Sequence, residues 1–256
     1  MKNGKFVKDR KNHDVLEFQG KRYSYDSLYN LIKNIDYKKI GQEVDYFISS
    51  GISLDTNKPC VLVLFQESDS NEDWMHNLLF FPKKARAYKG WKHRLTFHMG
   101  FFIAYQSARD EFLTDVMNEI NKLSTDDFDI IVSGWSYGAS ITQIVCEDLH
   151  EHFNKKPIFI GYEGANPCCD RHTRKYVENC LDLEHSIMFW NGNDAVSMLP
   201  PFPFGRKIKD IIYRLKEKPK FPFLFPIIRT LIDTIKNTRY YHTKVDEAIL
   251  KMMPKE

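Results

Sequence analysis

Gly134, Trp135, Ser136, Tyr137 and Gly138 form a G-x-S-x-G pentapeptide, the part of this sequence best suited to chemistry. It follows the apolar run FDIIVS at 128–133. It precedes a segment that places Ile141, Ile144, Val145 and Leu149 on one helical face. Strand, sharp turn and helix together are the setting in which this motif presents a nucleophilic serine. The turn strains the serine backbone, and the glycines keep side chains out of the space where strand and helix meet. The start of the following helix directs N–H groups and a positive dipole end toward a developing oxyanion.

A serine hydroxyl attacks an acyl carbon only when a base takes its proton, and an imidazole oriented by an acid does this. In this strand–turn–helix setting the acid and then the histidine follow the serine along the chain. Asp194 stands in NGNDAV, just past the apolar run SIMFWN at 186–191. That is the end of a strand, where such an acid belongs. Asp148 lies on the helix after the serine, and Asp170 and Asp182 precede the 186–191 run, so they fit less well. Of nine histidines only His242, in RYYHTKVDEAIL, lies beyond residue 194. Ser136, Asp194 and His242 are therefore the candidate triad. Asp194 also reads as a plain turn residue, and His242 as a surface or capping histidine.

Four apolar runs with β-formers read as buried strands: 60–65, 128–133, 157–162 and 186–191. Between the first two, residues 101–123 carry Phe102, Tyr105, Phe112, Val116, Ile120 and Leu123 at helical spacing. Residues 21–50 open with a strand-like YSY and continue with Leu28, Leu31, Ile32 and Ile35 at helical spacing, a packing element. Strands alternating with helices predict an α/β fold, a mostly parallel central sheet with helices on both faces. No composition break divides residues 1–256, so a single domain is expected, with 1–57 as an N-terminal packing extension and 58–250 as its core.

Hydrophobic residues make up 43% of the 256 and aromatics 14%, enough for a sizeable core. A net charge of +3 gives no reason to expect a nucleic-acid partner. Five cysteines without a CxxC pair read as reduced thiols and not as a metal site, and serine chemistry requires no metal or organic cofactor. The N-terminus is charged and lacks an apolar signal core, and no run of 18 apolar residues occurs, so the expected location is cytoplasmic. Residues 205–220 hold seven Lys or Arg against one Asp and one Glu, and the aromatic FPFLFP follows. Such a strip suits peripheral contact with an anionic membrane; a solvated basic face explains the same pattern.

From about residue 58 to 250 the chain resembles the class 3 (fungal-type) lipases of the α/β-hydrolase superfamily. FHMGFFIAYQSARDE is similar to that family's block before its long helix, and IIVSGWSYGAS to its V-x-G-H-S-L-G-G-A. GYEGANPCCD resembles its F-G-x-P block. FWNGNDAVSMLPP resembles the block carrying the catalytic Asp, and HTKVDEAIL the C-terminal His pattern. The resemblance implies an α/β-hydrolase fold and hydrolysis of carboxylic esters of acyl lipids, with Asp194 and His242 in the triad. It implies Ser68 as an oxyanion-hole residue and Tyr137 as the backbone donor. It also implies a lid on DSNEDWMHNLLF presenting Trp74, Leu78 and Leu79, residues that suit core packing equally well. The chain departs from the family at Gln66-Glu67, where Arg-Gly is usual, and at Trp135, Tyr137 and Ala139 around the serine. The first change shifts the backbone that presents Ser68; those around the serine reshape the acyl pocket, so that Trp135, and Trp74 on the lid, are candidate substrate contacts. Two other readings stay open: a serine hydrolase of small esters or thioesters, and a non-catalytic binding protein on a hydrolase scaffold.

Overall fold

The computed structural model describes residues 13–40, 44–66, 81–191, 208 and 212–215. The runs read as strands become Lys58–Phe65 (β5), Asp129–Trp135 (β8), Ile158–Tyr162 (β9) and Ile187–Asn191 (β10). Together with Ile212–Leu215 (β11) they make the parallel part of one sheet. β5 and β8 run at its centre, where both faces are covered, and their apolar runs are continuous for that reason. The crossovers are the helices Met99–Ile120 (α2), Tyr137–Phe153 (α3) and Arg171–Cys180 (α4).

The N-terminal 14–53 region continues the same sheet in antiparallel fashion. Asp14–Phe18 (β1), Lys21–Ser24 (β2) and Val44–Ser53 (β4) extend it, with Lys38–Ile40 (β3) paired to β4. The overall order is β11-β10-β9-β8-β5-β4-β1-β2. Among the described residues of this region, one element, Tyr25–Asn34 (α1), is helical. Ser24 caps it, its hydroxyl accepting the Ser27 N–H at 3.4 Å. α1 lies on one face of the sheet with Tyr25, Leu28, Tyr29 and Ile32 packed on Leu62, Leu64, Ile131 and Trp135. α2, α3 and α4 cover the other face over Val61, Val63, Ile130 and Val132. Helices thus lie on both faces, as expected. Pro82–Lys84 (β6) and Thr96–His98 (β7) form a separate hairpin in front of α2.

A buried ion pair joins the two helices flanking the motif. The Arg109 guanidinium of α2 donates to Asp148 of α3 through Nε at 2.7 Å and Nη2 at 2.8 Å. Tyr105 OH adds a third bond at 2.7 Å. Both charged side chains are nearly inaccessible, 5% and 3% exposed. Burial pushes the Asp148 carboxyl up, but hydrogen bonds from His152 and Arg109 outweigh it, and the net shift is downward. Asp148 is thereby committed to holding α3 on α2. Its neighbour Glu147 has the opposite fate. It is 2% exposed, and its Oε2 has no hydrogen-bond partner. Burial, then the Asp148 charge, push its carboxyl up to about 9.

Two outcomes follow for stability. Arg109→Met leaves the Asp148 charge buried without its main partner, and urea unfolding should show a loss of about 3–5 kcal/mol; a loss below about 1 kcal/mol would contradict this account of the α2–α3 joint. Glu147 carries its proton in the fold and gives it up when unfolded above the ordinary Glu range. Its burial therefore costs stability increasingly as pH rises from about 4.5 to about 9. Glu147→Gln should raise the melting temperature over wild type, with the gap widening from pH 5 to pH 8.5. A gap that narrows with pH would show that Glu147 is ionised in place.

Candidate active site

β8 delivers Ser136 to the C-terminal edge of the sheet, and α3 starts at the next residue. Ser136 sits at φ 53, ψ −114, a region that residues with a Cβ avoid. Among the described residues, four other non-glycine residues have positive φ. Gln19 and Asn57 lie in tight connections between strands, and Asn154 caps α3. Glu163 differs: like Ser136 it is buried and stands at the end of a central strand, β9. The strand ends are tied in steps. Ser136 N–H donates to the Tyr162 carbonyl at 2.8 Å, and Glu163 N–H to the Phe189 carbonyl at 3.0 Å. The Ser136 carbonyl accepts Ser140 Oγ–H at 3.1 Å, and Ser140 Oγ accepts the Ala165 N–H at 2.8 Å. The turn is thus fastened to the loop after β9.

Both motif glycines are required by contact. A Cβ on Gly134 would lie 2.6 Å from the Gly138 carbonyl carbon. One on Gly138 would lie 2.6 Å from the Gln66 carbonyl oxygen and would also strike the Phe65 carbonyl. Gly138 thereby holds the start of α3 against the end of β5, the point from which the chain runs on toward Ser68. The first N–H groups of α3, that of Tyr137 among them, belong to the turn that begins one residue past Ser136. Ser136 itself is only 6% exposed, more enclosed than a surface turn.

The aromatic neighbours divide between the two faces of the sheet. The Tyr137 ring lies 5.4 Å from that of Phe101, and Phe101 lies 4.6 Å from His98. Burial lowers His98 to about 4, so it is neutral near pH 7. Trp135 is the last residue of β8. Its side chain, 5% exposed, turns to the α1 face, where its ring meets Tyr29 at 5.6 Å and Lys33 Nζ at 4.9 Å. Successive strand residues point to opposite faces, and Trp135, the residue before the serine, packs on the α1 face behind the turn. Tyr162 stacks on Phe189 at 5.2 Å and its OH donates to the Tyr25 carbonyl at 2.6 Å. α1 therefore braces the strand ends that position Ser136.

Of the residues singled out from the sequence, Ser136 and Tyr137 lie where β8 passes into α3. Asp194, His242, Ser68 and Trp74 lie outside the described residues, as do Leu78, Leu79 and most of the basic 205–220 strip. β10, parallel to β9, ends at Asn191 on the same edge as Ser136. Glu163 and the α1 tyrosines escaped the sequence reading. The signal for Glu163 was a carboxylate placed directly after the apolar run PIFIGY. Burial pushes the Cys60 and Cys169 thiols up to about 12, away from reactivity. Among the described residues no group of three His, Cys, Asp or Glu side chains is placed to hold a metal ion.

Comparison with known proteins converges on one family. A family model described as Lipase (class 3) matches residues 62–204. The chain is 23% identical over 176 residues to the galactolipase DONGLE, chloroplastic, of Arabidopsis thaliana, covering 60% of this chain and 37% of that protein. The Rhizomucor miehei lipase propeptide complex superposes with a TM-score of 0.52 at 18% identity, over 67% of this chain and 52% of that one. A triacylglycerol lipase whose catalytic centre is a serine protease triad superposes with a TM-score of 0.54, also at 18% identity, over 72% and 67%. These structures show the α/β-hydrolase fold. The chain spans little more than a third of its curated relative and about half of the Rhizomucor structure.

The Gly138 contact has a direct consequence. Gly138→Ala must push the start of α3 off β5, displacing Ser136 by a fraction of an ångström to an ångström. Labelling of Ser136 by a fluorophosphonate should slow by about a hundredfold, the scale of such misplacements, with the far-ultraviolet circular dichroism retained. An unchanged labelling rate would show that the approach of α3 to β5 does not set the serine's position.

Proposed function

The chain belongs to the class 3 lipase family, and from that premise we propose that it hydrolyses carboxylic esters of acyl lipids through Ser136, Asp194 and His242. The observation that carries the reading is the conformation of Ser136, strained at φ 53 between a central strand and the start of a helix. His242 takes the Ser136 proton as Oγ attacks the ester carbonyl carbon. The tetrahedral oxyanion is held by the Tyr137 N–H, with Ser68 as second donor. His242 returns its proton to the departing alcohol, leaving the acyl group on Ser136. A water molecule, deprotonated by His242, then attacks the acyl carbon, and the acid leaves as the proton goes back to Ser136 Oγ. Asp194 keeps the imidazole in the required tautomer and stabilises its charged form. Trp74 contacts the acyl chain.

Gln66 and Glu67 stand where the family has Arg-Gly, and this favours one alternative, a binding protein that has kept the fold without turnover. Among the described residues no helix is long and apolar enough to cross a membrane. Peripheral contact with a lipid surface and a cytoplasmic location are parts of the proposal.

Ser136→Ala should lower ester turnover by about 10³-fold to 10⁶-fold, and adding His242→Ala should scarcely lower it further, because members of one relay are not additive. Multiplicative losses would place His242 outside the relay, and wild-type turnover in Ser136→Ala would overturn the assignment. kcat/KM should rise with pH through an apparent pKa of about 6–7, since only neutral imidazole accepts the serine proton. A profile flat from pH 5 to pH 8 would exclude a histidine base.

A further inference from the structure

The connection between β6 and β7 carries charge that the proposed chemistry does not use. Residues 82–94 read PKKARAYKGWKHR, six Lys or Arg with no Asp or Glu. The segment is anchored from within. Ala85, Trp91 and Leu95 are buried, and Tyr88 packs edge-on against Phe102 at 5.1 Å. Trp91 meets Phe102 at 5.1 Å and Phe97 at 5.8 Å, and its indole N–H donates to Gln106 at 2.7 Å. Gly90, at φ +94, lies so close to the Arg109 guanidinium that no side chain would fit there. With residues 85, 88, 91 and 95 turned inward, Lys84, Arg86, Lys89, Lys92 and Arg94 are all exposed.

These five cations form no ion pair among the described residues. The neighbouring acids among the described residues face groups other than these five. Glu151 faces His93 at 3.3 Å and accepts Tyr176 OH, Asp110 lies 3.6 Å from Arg109, and Glu178 pairs with Arg174 of α4. A fixed group of like charges that no acid among the described residues pairs repels itself and favours an anionic partner. The partner's nature follows from Phe81, which is 64% exposed immediately before the segment. Its carbonyl accepts the Met99 N–H at 2.9 Å in the first turn of α2, the turn whose Phe101 lies against Tyr137 beside Ser136. Exposed Ile103 lies one helical turn further along α2. An apolar tip at the active-site end, followed by cations along the flank of α2, matches a bilayer with an anionic surface. A polyanion alone would leave Phe81 and Ile103 without a partner.

We propose that the 81–94 segment is a membrane-docking surface for anionic phospholipid, with Lys84, Arg86, Lys89, Lys92 and Arg94 against the head groups and Phe81 in the interface. Its purpose rests on the lipid-ester reading above; the binding itself does not require turnover. The test is sedimentation of the full chain with vesicles of phosphatidylcholine alone or mixed with phosphatidylserine, at low and high salt. A soluble short ester is assayed in parallel. Wild type should bind the mixed vesicles at least about tenfold more tightly, less so at high salt. The variant with all five cations changed to Gln should lose about tenfold or more of that affinity while keeping the melting temperature and soluble-ester turnover of wild type. Phe81→Ser should weaken binding at both salt concentrations. A five-Gln variant that binds like wild type would overturn the proposal. So would loss of binding only when Lys207, Lys209, Arg214 and Lys216 are changed to Gln, or wild type that binds heparin but no vesicle. Vesicle binding by a protein that turns over no ester would leave this inference standing and count against the hydrolase reading alone.

Discussion

The backbone of Ser136, at φ 53 and ψ −114, is the point on which the arrangement of this protein turns. A non-glycine residue in such a conformation carries a cost of about 1–3 kcal/mol and persists only where its surroundings over-determine it. Here they do. The preceding strand is at the sheet's centre, the Ser136 N–H and carbonyl are both bonded, and Gly134 and Gly138 let strand, helix and the end of β5 approach to contact. Behind the turn, Trp135 and Tyr162 rest on α1. In front of it, α3 is fixed to α2 by the buried Arg109–Asp148 pair.

The charges on α3 are sorted with the same economy. Adjacent carboxyls, both nearly inaccessible, end in opposite states because one meets a guanidinium and the other meets none. Asp148 is held below the carboxylate range, while Glu147 is pushed up to about 9. The ion pair lies three turns along α3 from Ser136, so it secures the helix without placing a strong charge at the nucleophile. His98 is buried and neutral near pH 7, and it adds none either. What the described residues bring next to Ser136 is the start of α3, whose dipole end is positive.

The sequence made the parallel half of this architecture readable, because strands covered on both faces are continuously apolar and their crossover helices keep a 3.6-residue period. β1 and β4 escaped notice. VDYFISSGIS has Ser and Gly through its middle and no clean alternation, and its strand character comes from full-length pairing with β5. Ser136 was legible because a short motif sat in the strand and helix context that gives it meaning. The packing of Trp135 against α1 was not legible, because the face a strand residue takes depends on register, which a single position does not reveal. The burial of Glu163 was signalled only by its place directly after the apolar run PIFIGY, because it depends on the pairing of β9 with its neighbours. Asp194, His242 and Ser68 rest on chain order and family resemblance.

The central claim is that the geometry at Ser136 makes it a nucleophile. The most direct measurement is mass spectrometry of the intact chain after reaction with a fluorophosphonate, followed by peptide mapping. The account predicts one adduct per chain, on Ser136, and none once the protein is unfolded in urea before the probe is added. An unmodified chain, or an adduct on another serine, would contradict it.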